Sequence, residues 1–200
     1  MKLNPPLLGL LDLELDLSFT GASQDVLEQL SDQSPRAFLI EAEPWEKDLR
    51  AWIQFIRCDQ SFTCPELVRQ TLLLSMGLQF TDDSDIAALN SSWRQKPEKT
   101  DVLSFPVFDE NIVLSQEQSL ELGDIVVSLP TAEHQAKEQN HSLMTELRWL
   151  VSHGLLHLLG WDHPTSHRLK EMLCYQEQLL CINGNLPIDG DKKEEIDYAL

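Results

Sequence analysis

Positive charge is scarce in this chain: 15 lysines and arginines stand against 33 aspartates and glutamates, a formal net charge of −18 over 200 residues. Affinity for nucleic acid scales with the phosphates that cations neutralise, so attraction to free RNA should be weak at long range and any contact local. Long apolar runs are missing too. Nothing approaches the roughly 18 uninterrupted apolar residues of a membrane span, and no membrane partner is expected. Leu7, Leu8, Gly9, Leu10 and Leu11 follow Pro5 and Pro6 and run into Asp12, Glu14 and Asp16. Without a cationic stretch before them or a small-residue cleavage site after, they read as no secretion signal, so a cytoplasmic location is expected. Neither Cys58 with Cys64 nor Cys174 with Cys181 has CxxC spacing, which leaves reduced thiols as the expectation.

What is present is a chain with 42% hydrophobic residues, ample for a packed core. Acidic residues crowd the first 48 positions and the last dozen, whereas Arg94, Lys96 and Lys99 cluster in one polar stretch. The organisation expected is an acidic N-terminal strand and variable segment (1–44) packed on a main domain (45–184), then an acidic tail (185–200), one domain in all. Residues 11–19 alternate apolar and acidic, as a half-buried strand does. The stretch 20–44 reads as a loop around Ala37–Ile40. Leu49, Trp52, Ile53 and Ile56 recur at helical spacing across 45–57, and a second helix is expected from Pro65. Strands are expected over 73–80, 102–108 and 124–129, with loops over 91–100 and 109–122. Asp82 or Ser84 caps a short helix through Ile86 and Leu89. Further helices are expected over 130–140, from Ser142 to 159, and over 164–182, with a poorly packed tail after Gly184. The fold class is α+β, a small mixed sheet covered by helices.

The chemistry lies in residues 153–163, HGLLHLLGWDH. His153 and His157 are four apart, so on a helix their Cβ atoms stand about 6 Å apart on one face, which suits two imidazoles on one ion. Gly160 falls where a left-handed residue ends a helix, and the turn could return His163 as third ligand while Pro164 stops the helix resuming. Three protein ligands leave a fourth position open, the catalytic pattern for zinc. Burying imidazoles without partners in so apolar a helix would be costly. The spacing matches the metzincin signature HExxHxxGxxH except at its general base. Gly154 stands where those proteases carry glutamate, so peptide hydrolysis by that route is disfavoured.

HGLLHLLGWDH, TDVLSFP (100–106), LGDIVVS (122–128) and the trio Leu89, Asn90 and Arg94 together resemble the YbeY family of metal-dependent endoribonucleases, bacterial ribosomal-RNA maturation factors, over about residues 70–182. Trp161 and Trp93 stand where tyrosine is usual in that family, and Lys99 where proline is. The resemblance implies a metal-dependent hydrolase domain over 45–184 with the histidine helix in its core, a zincin-like arrangement. It implies a single-strand-specific endoribonuclease acting in maturation of the small-subunit ribosomal RNA 3′ end and in ribosome quality control. The implied partners are ribosomal RNA and the small ribosomal subunit or its proteins.

In the mechanism so implied, His153, His157 and His163 hold one Zn2+ per chain, which activates water or polarises the scissile phosphate. All-imidazole ligation prefers zinc, although nickel or copper also suit it. Arg94 matches the family's arginine and is the candidate for stabilising the phosphoryl transition state through its planar, two-pronged guanidinium. Lys96 and Lys99 are weaker phosphate candidates. Glu146, seven residues before His153, is a candidate acceptor for a ligand's second ring nitrogen or for the helix N-terminus. Asp101 and Ser104 are expected to tie loop to strand, Trp149 and Trp161 to line core or cleft, and Met172 to pack in the core; His134, His141 and His167 receive no ligand role. Two other readings stand beside this one: a metallopeptidase-like hydrolase, and a non-catalytic ribosome-associated factor with a structural metal.

Overall fold

Alternation in ELDLSFT places Leu15, Leu17 and Phe19 of strand β1 (Glu14–Thr20) on one face and Asp16, Ser18 and Thr20 on the other. The computed structural model describes residues 13–31, 36–107 and 119–182. After β1 come helices α1 (Gln24–Gln29), α2 (Ala37–Ile40), α3 (Glu43–Cys58) and α4 (Glu66–Gln70), then β2 (Leu73–Thr81), α5 (Asp83–Arg94), β3 (Val102–Pro106) and β4 (Leu120–Ser128). Helices α6 (Leu129–Glu138), α7 (Leu143–Leu158) and α8 (Ser166–Ile182) complete the order. The sheet runs β1-β2-β4-β3; β1, β2 and β4 are parallel, and β3 is an antiparallel edge. This is the expected α+β fold with a mixed sheet.

Two apolar clusters divide the molecule. Leu78 and Phe80 of β2 and Ile125 and Val127 of β4 join the larger one with the buried faces of α3, α7 and α8. Alternate residues of a strand point to opposite faces, so Leu103, Phe105 and Val126 face the other way, where Ile86 and Leu89 of α5 meet them. The sheet therefore has α7 beneath it and α5 above. Strands β2 and β4 are central and mostly buried, with Gln79, Glu121 and Asp124 exposed.

Three boundaries differ from the sequence expectation. Residues 20–44 contain α1 and α2, each one or two turns long and burying a single residue, Val26 or Leu39; so short a helix carries no readable period. Strand β4 begins at Leu120, inside the expected 109–122 loop, where Glu121 and Gly123 disguise it. Helix α5 runs on to Arg94 and ends at Gln95 in a left-handed conformation, φ 59°, so Arg94 belongs to a helix end and not to the 91–100 loop. Its cap is Asp82, whose Oδ1 accepts the N–H groups of Ser84 (2.9 Å) and Asp85 (2.8 Å). The expectations for residues 1–12, 109–118 and the tail after Gly184 lie outside the described residues.

Candidate metal centre

Helix α7 is capped by Ser142, whose Oγ accepts the Thr145 N–H at 3.1 Å, and it is buried on nearly every side. At its C-terminus Gly160 takes φ 85°. Its N–H donates to the His157 carbonyl and the Trp161 N–H to the Leu156 carbonyl, both at 3.0 Å, the paired bonds that close a helix through a left-handed residue. The reversed chain is held by the Asp162 carboxylate, which accepts the His163 N–H at 2.8 Å.

This turn brings the His163 ring back to within 5.4 Å of His153 and 5.2 Å of His157, centroid to centroid, and those two rings are 4.7 Å apart. One ring nitrogen from each of the three lies within 4.8 Å of the others, and no fourth donor joins them among the described residues.

Hydrogen bonding decides which nitrogens converge. The Trp161 carbonyl can only accept, so His157 Nδ1 carries the proton it donates there, at 2.8 Å. Gln176 is fully buried, and its Nε2 donates to the Trp149 carbonyl at 2.7 Å. That orients Oε1 towards His153 Nδ1 at 3.3 Å, so this nitrogen carries the proton too. In neutral rings both Nε2 atoms then present lone pairs, and they stand 3.1 Å apart. A cation between them would satisfy both lone pairs. His163 Nε2 is buried without a hydrogen-bond partner among the described residues. The donor set fits a divalent ion that takes imidazole nitrogen.

The electrostatics favour neutral, ligating rings. Burial, joined by the neighbouring His157 and His163, pushes His153 down to about 3 from 6.5. His157 is lowered as well, by burial first, with the charges of His163 and Arg94 adding to it and the Trp161 carbonyl opposing.

Gly154 has a structural reason. A Cβ there would stand 2.9 Å from Ile125 Cγ2 and 3.1 Å from Ser104 Oγ. The position faces the sheet, against Ser104 of β3 and Ile125 of β4. A glutamate there would have to displace Ile125 and Ser104 or push the helix off the sheet.

Arg94 is exposed at the C-terminus of α5, yet its charge reaches His157. Asn90, one turn earlier, donates from Nδ2 to the Glu98 carbonyl at 2.8 Å, so the loop after the helix is pinned from within it. Beside Arg94 opens a cleft of about 690 Å³ over the upper face of the sheet, bordered by Trp93, Phe105 and Asp124.

Other expected residues find different partners. Lys99 pairs with Asp83 at 2.6 Å, and Lys96 stays exposed. Glu146 does not serve a ligand ring. Its Oε2 meets His141 Nε2 at 2.5 Å, at the far end of α7 from His157. The ring supports are Gln176 and the Trp161 carbonyl, which sequence reasoning missed. Gln176 left one signal, a single polar residue on the α8 stripe of Met172, Leu179 and Leu180. Asp101 does tie loop to strand and helix, accepting the Val102 N–H at 2.7 Å and Gln135 Nε2 at 3.0 Å. Trp149, Trp161 and Met172 are core, with the Trp161 indole donating to the Thr63 carbonyl at 2.8 Å. His134 and His167 are exposed.

The model of the family described as Endoribonuclease YbeY matches residues 33–183. A Prochlorococcus marinus (strain MIT 9313) protein named Endoribonuclease YbeY is 57% identical over 88% of this chain and 94% of its own. Relatives of the same name from Synechococcus sp. (strain CC9311) and Synechococcus sp. (strain CC9902) are 51% and 46% identical, over 87% and 92% of this chain and 98% and 100% of theirs. No described helix is long and apolar enough to cross a membrane. With the matched region spanning β2, β3, β4, α5 and all three histidines, the chain belongs to the YbeY endoribonuclease family.

Proposed function

We propose that this protein is a single-metal endoribonuclease that cleaves single-stranded RNA, acting at the 3′ end of small-subunit ribosomal RNA and in ribosome quality control. The observation that carries the reading is the convergence of three imidazole nitrogens, with the tautomers of His153 and His157 set from behind. His153, His157 and His163 hold the ion, with zinc preferred for this donor set. An ion held there supplies Lewis-acid activation of water or of a phosphoryl oxygen. The protein's own contribution is positional. Gln176 and the Trp161 carbonyl keep Nε2 of His153 and His157 deprotonated and aimed, and Arg94 grips phosphate oxygens as negative charge develops on them.

A peptidase reading finds no support, because the base position faces the sheet. A purely structural metal would call for a fourth protein donor, and the cluster has three among the described residues. The relatives' name supports RNA as the substrate; ribosomal RNA and small-subunit proteins as partners are what the family resemblance implies, and basic proteins suit the acidic flanks.

The test compares wild type with His157→Ala and Arg94→Ala for metal content by mass spectrometry and for cleavage of a ribosomal-RNA fragment. We expect one zinc per chain in wild type, its loss in His157→Ala, and retained metal with cleavage lowered by about 10²–10³ in Arg94→Ala. Equal cleavage by all three would place the activity elsewhere.

A further inference from the structure

One row of residues crosses the upper face of the sheet. Ser18 pairs with Gly77, Gly77 with Asp124, and Asp124 with Phe105. Gly77 makes a notch in this floor, and the Asp124 carboxylate leans into it: a Cβ on Gly77 would stand 2.0 Å from Asp124 Oδ1. Asp124 is exposed and accepts no hydrogen bond among the described residues. At the other end of the row the Trp93 ring sits 5.7 Å from Phe105 at 61°, an edge contact that leaves an indole face open. Trp93 is 71% exposed and Val107, also on the cleft wall, 54%. Two large apolar side chains are thus left in water at the rim of a cleft of about 690 Å³.

We propose that this cleft is a nucleobase subsite, in which Trp93 stacks on one base of single-stranded RNA and Asp124 selects a base with an exocyclic amino group. The proposal rests on the ribonuclease reading and adds its base specificity. Arg94 links the two regions, since it borders the cleft and its charge reaches His157. A phosphate held by Arg94 leaves the attached nucleoside within reach of the neighbouring Trp93. Stacking is open to any base, but a carboxylate accepts hydrogen bonds. It therefore rewards the N4 amino group of cytosine and repels the O4 carbonyl of uracil. Stacking also suits a chain of net charge −18, because it draws affinity from the base and not from phosphate neutralisation.

The test measures binding of labelled cytidine and uridine hexaribonucleotides by fluorescence anisotropy. It uses the full chain carrying His157→Ala to stop cleavage, alone and combined with Trp93→Ala, Trp93→Phe or Asp124→Asn. These side chains are exposed, and unfolding midpoints confirm that each variant folds. We expect Trp93→Ala to weaken cytidine-hexamer binding about tenfold or more and Trp93→Phe to retain most of it. We expect wild-type Asp124 to prefer cytidine over uridine about tenfold, Asp124→Asn to erase that preference, and salt dependence to be shallow. Equal affinity for the two hexamers, indifference to Trp93, or a steep salt slope would overturn the subsite; a cleft that takes a protein segment would give the first two. The two readings fail separately. If the subsite is wrong, wild type still cleaves ribosomal RNA with its histidine dependence; if the ribonuclease reading is wrong, no metal-dependent cleavage appears, whatever the hexamers do.

Discussion

His153 and Arg94 stand at the two margins of the candidate site in opposite surroundings. The imidazole is buried, its Nδ1 held by Gln176, whose own amide is locked by the Trp149 carbonyl. The guanidinium ends a surface helix in water, and only the loop behind it is pinned, by Asn90. The contrast follows from the work proposed for each group. Holding an ion between lone pairs requires fixed tautomers and an environment that keeps the rings uncharged. Gripping phosphate on an incoming strand requires reach, and a buried arginine has none. Substitutions on the histidine side should therefore cost stability or metal affinity, and those on the arginine side activity alone.

The largest effect expected is acid sensitivity of the metal-stripped protein. Folded His153 stays neutral down to about 3, whereas the unfolded chain takes up that proton near 6.5. The unfolded state thus binds more protons through that window, and stability falls as pH drops across it. Thermal midpoints should begin to fall near pH 6.5, before the carboxylates titrate, and less so in His153→Gln. A flat profile in both would mean the ring is not buried as described.

Gly154→Glu comes next. The new side chain meets Ile125 and Ser104, so a loss of about 3 kcal/mol or more is expected in urea unfolding. No peptidase activity should appear. A stable variant would show that α7 can lift from the sheet and that the histidine side is less braced than its packing implies.

Gln176→Leu should fold yet bind zinc about 10- to 100-fold more weakly in chelator competition. Unchanged affinity would remove Gln176 from the support of His153.

The smallest effect on stability is expected for Arg94→Ala, within about 0.5 kcal/mol of wild type. A larger destabilisation would make Arg94 a structural residue and erase the contrast.

Kinship and site were unequally legible. HGLLHLLGWDH carried the ligand spacing, the helix stop and the missing protease base within eleven residues, because helix periodicity and a left-handed glycine act over one or two turns. The supports of the rings were not legible there. Gln176 lies 23 residues beyond His153, and nothing local marks it except a polar interruption in an apolar stripe. Glu146, with helical spacing in its favour, turned instead to His141, since another partner stood closer. The strand at Leu120 was hidden for a similar reason: its partner Leu74 lies 46 positions away.

Sequence alone determined that three imidazoles would meet, that the helix bearing them would end at Gly160, and that Gly154 could not act as a base. These are consequences of backbone geometry within single turns. Only the tertiary structure decided that Gly154 faces the sheet, that Gln176 and the Trp161 carbonyl choose the tautomers, and that Arg94 borders a cleft floored by Gly77 and Asp124. Those relations depend on strand order and on which helix covers which face, and packing across the whole sheet settles both.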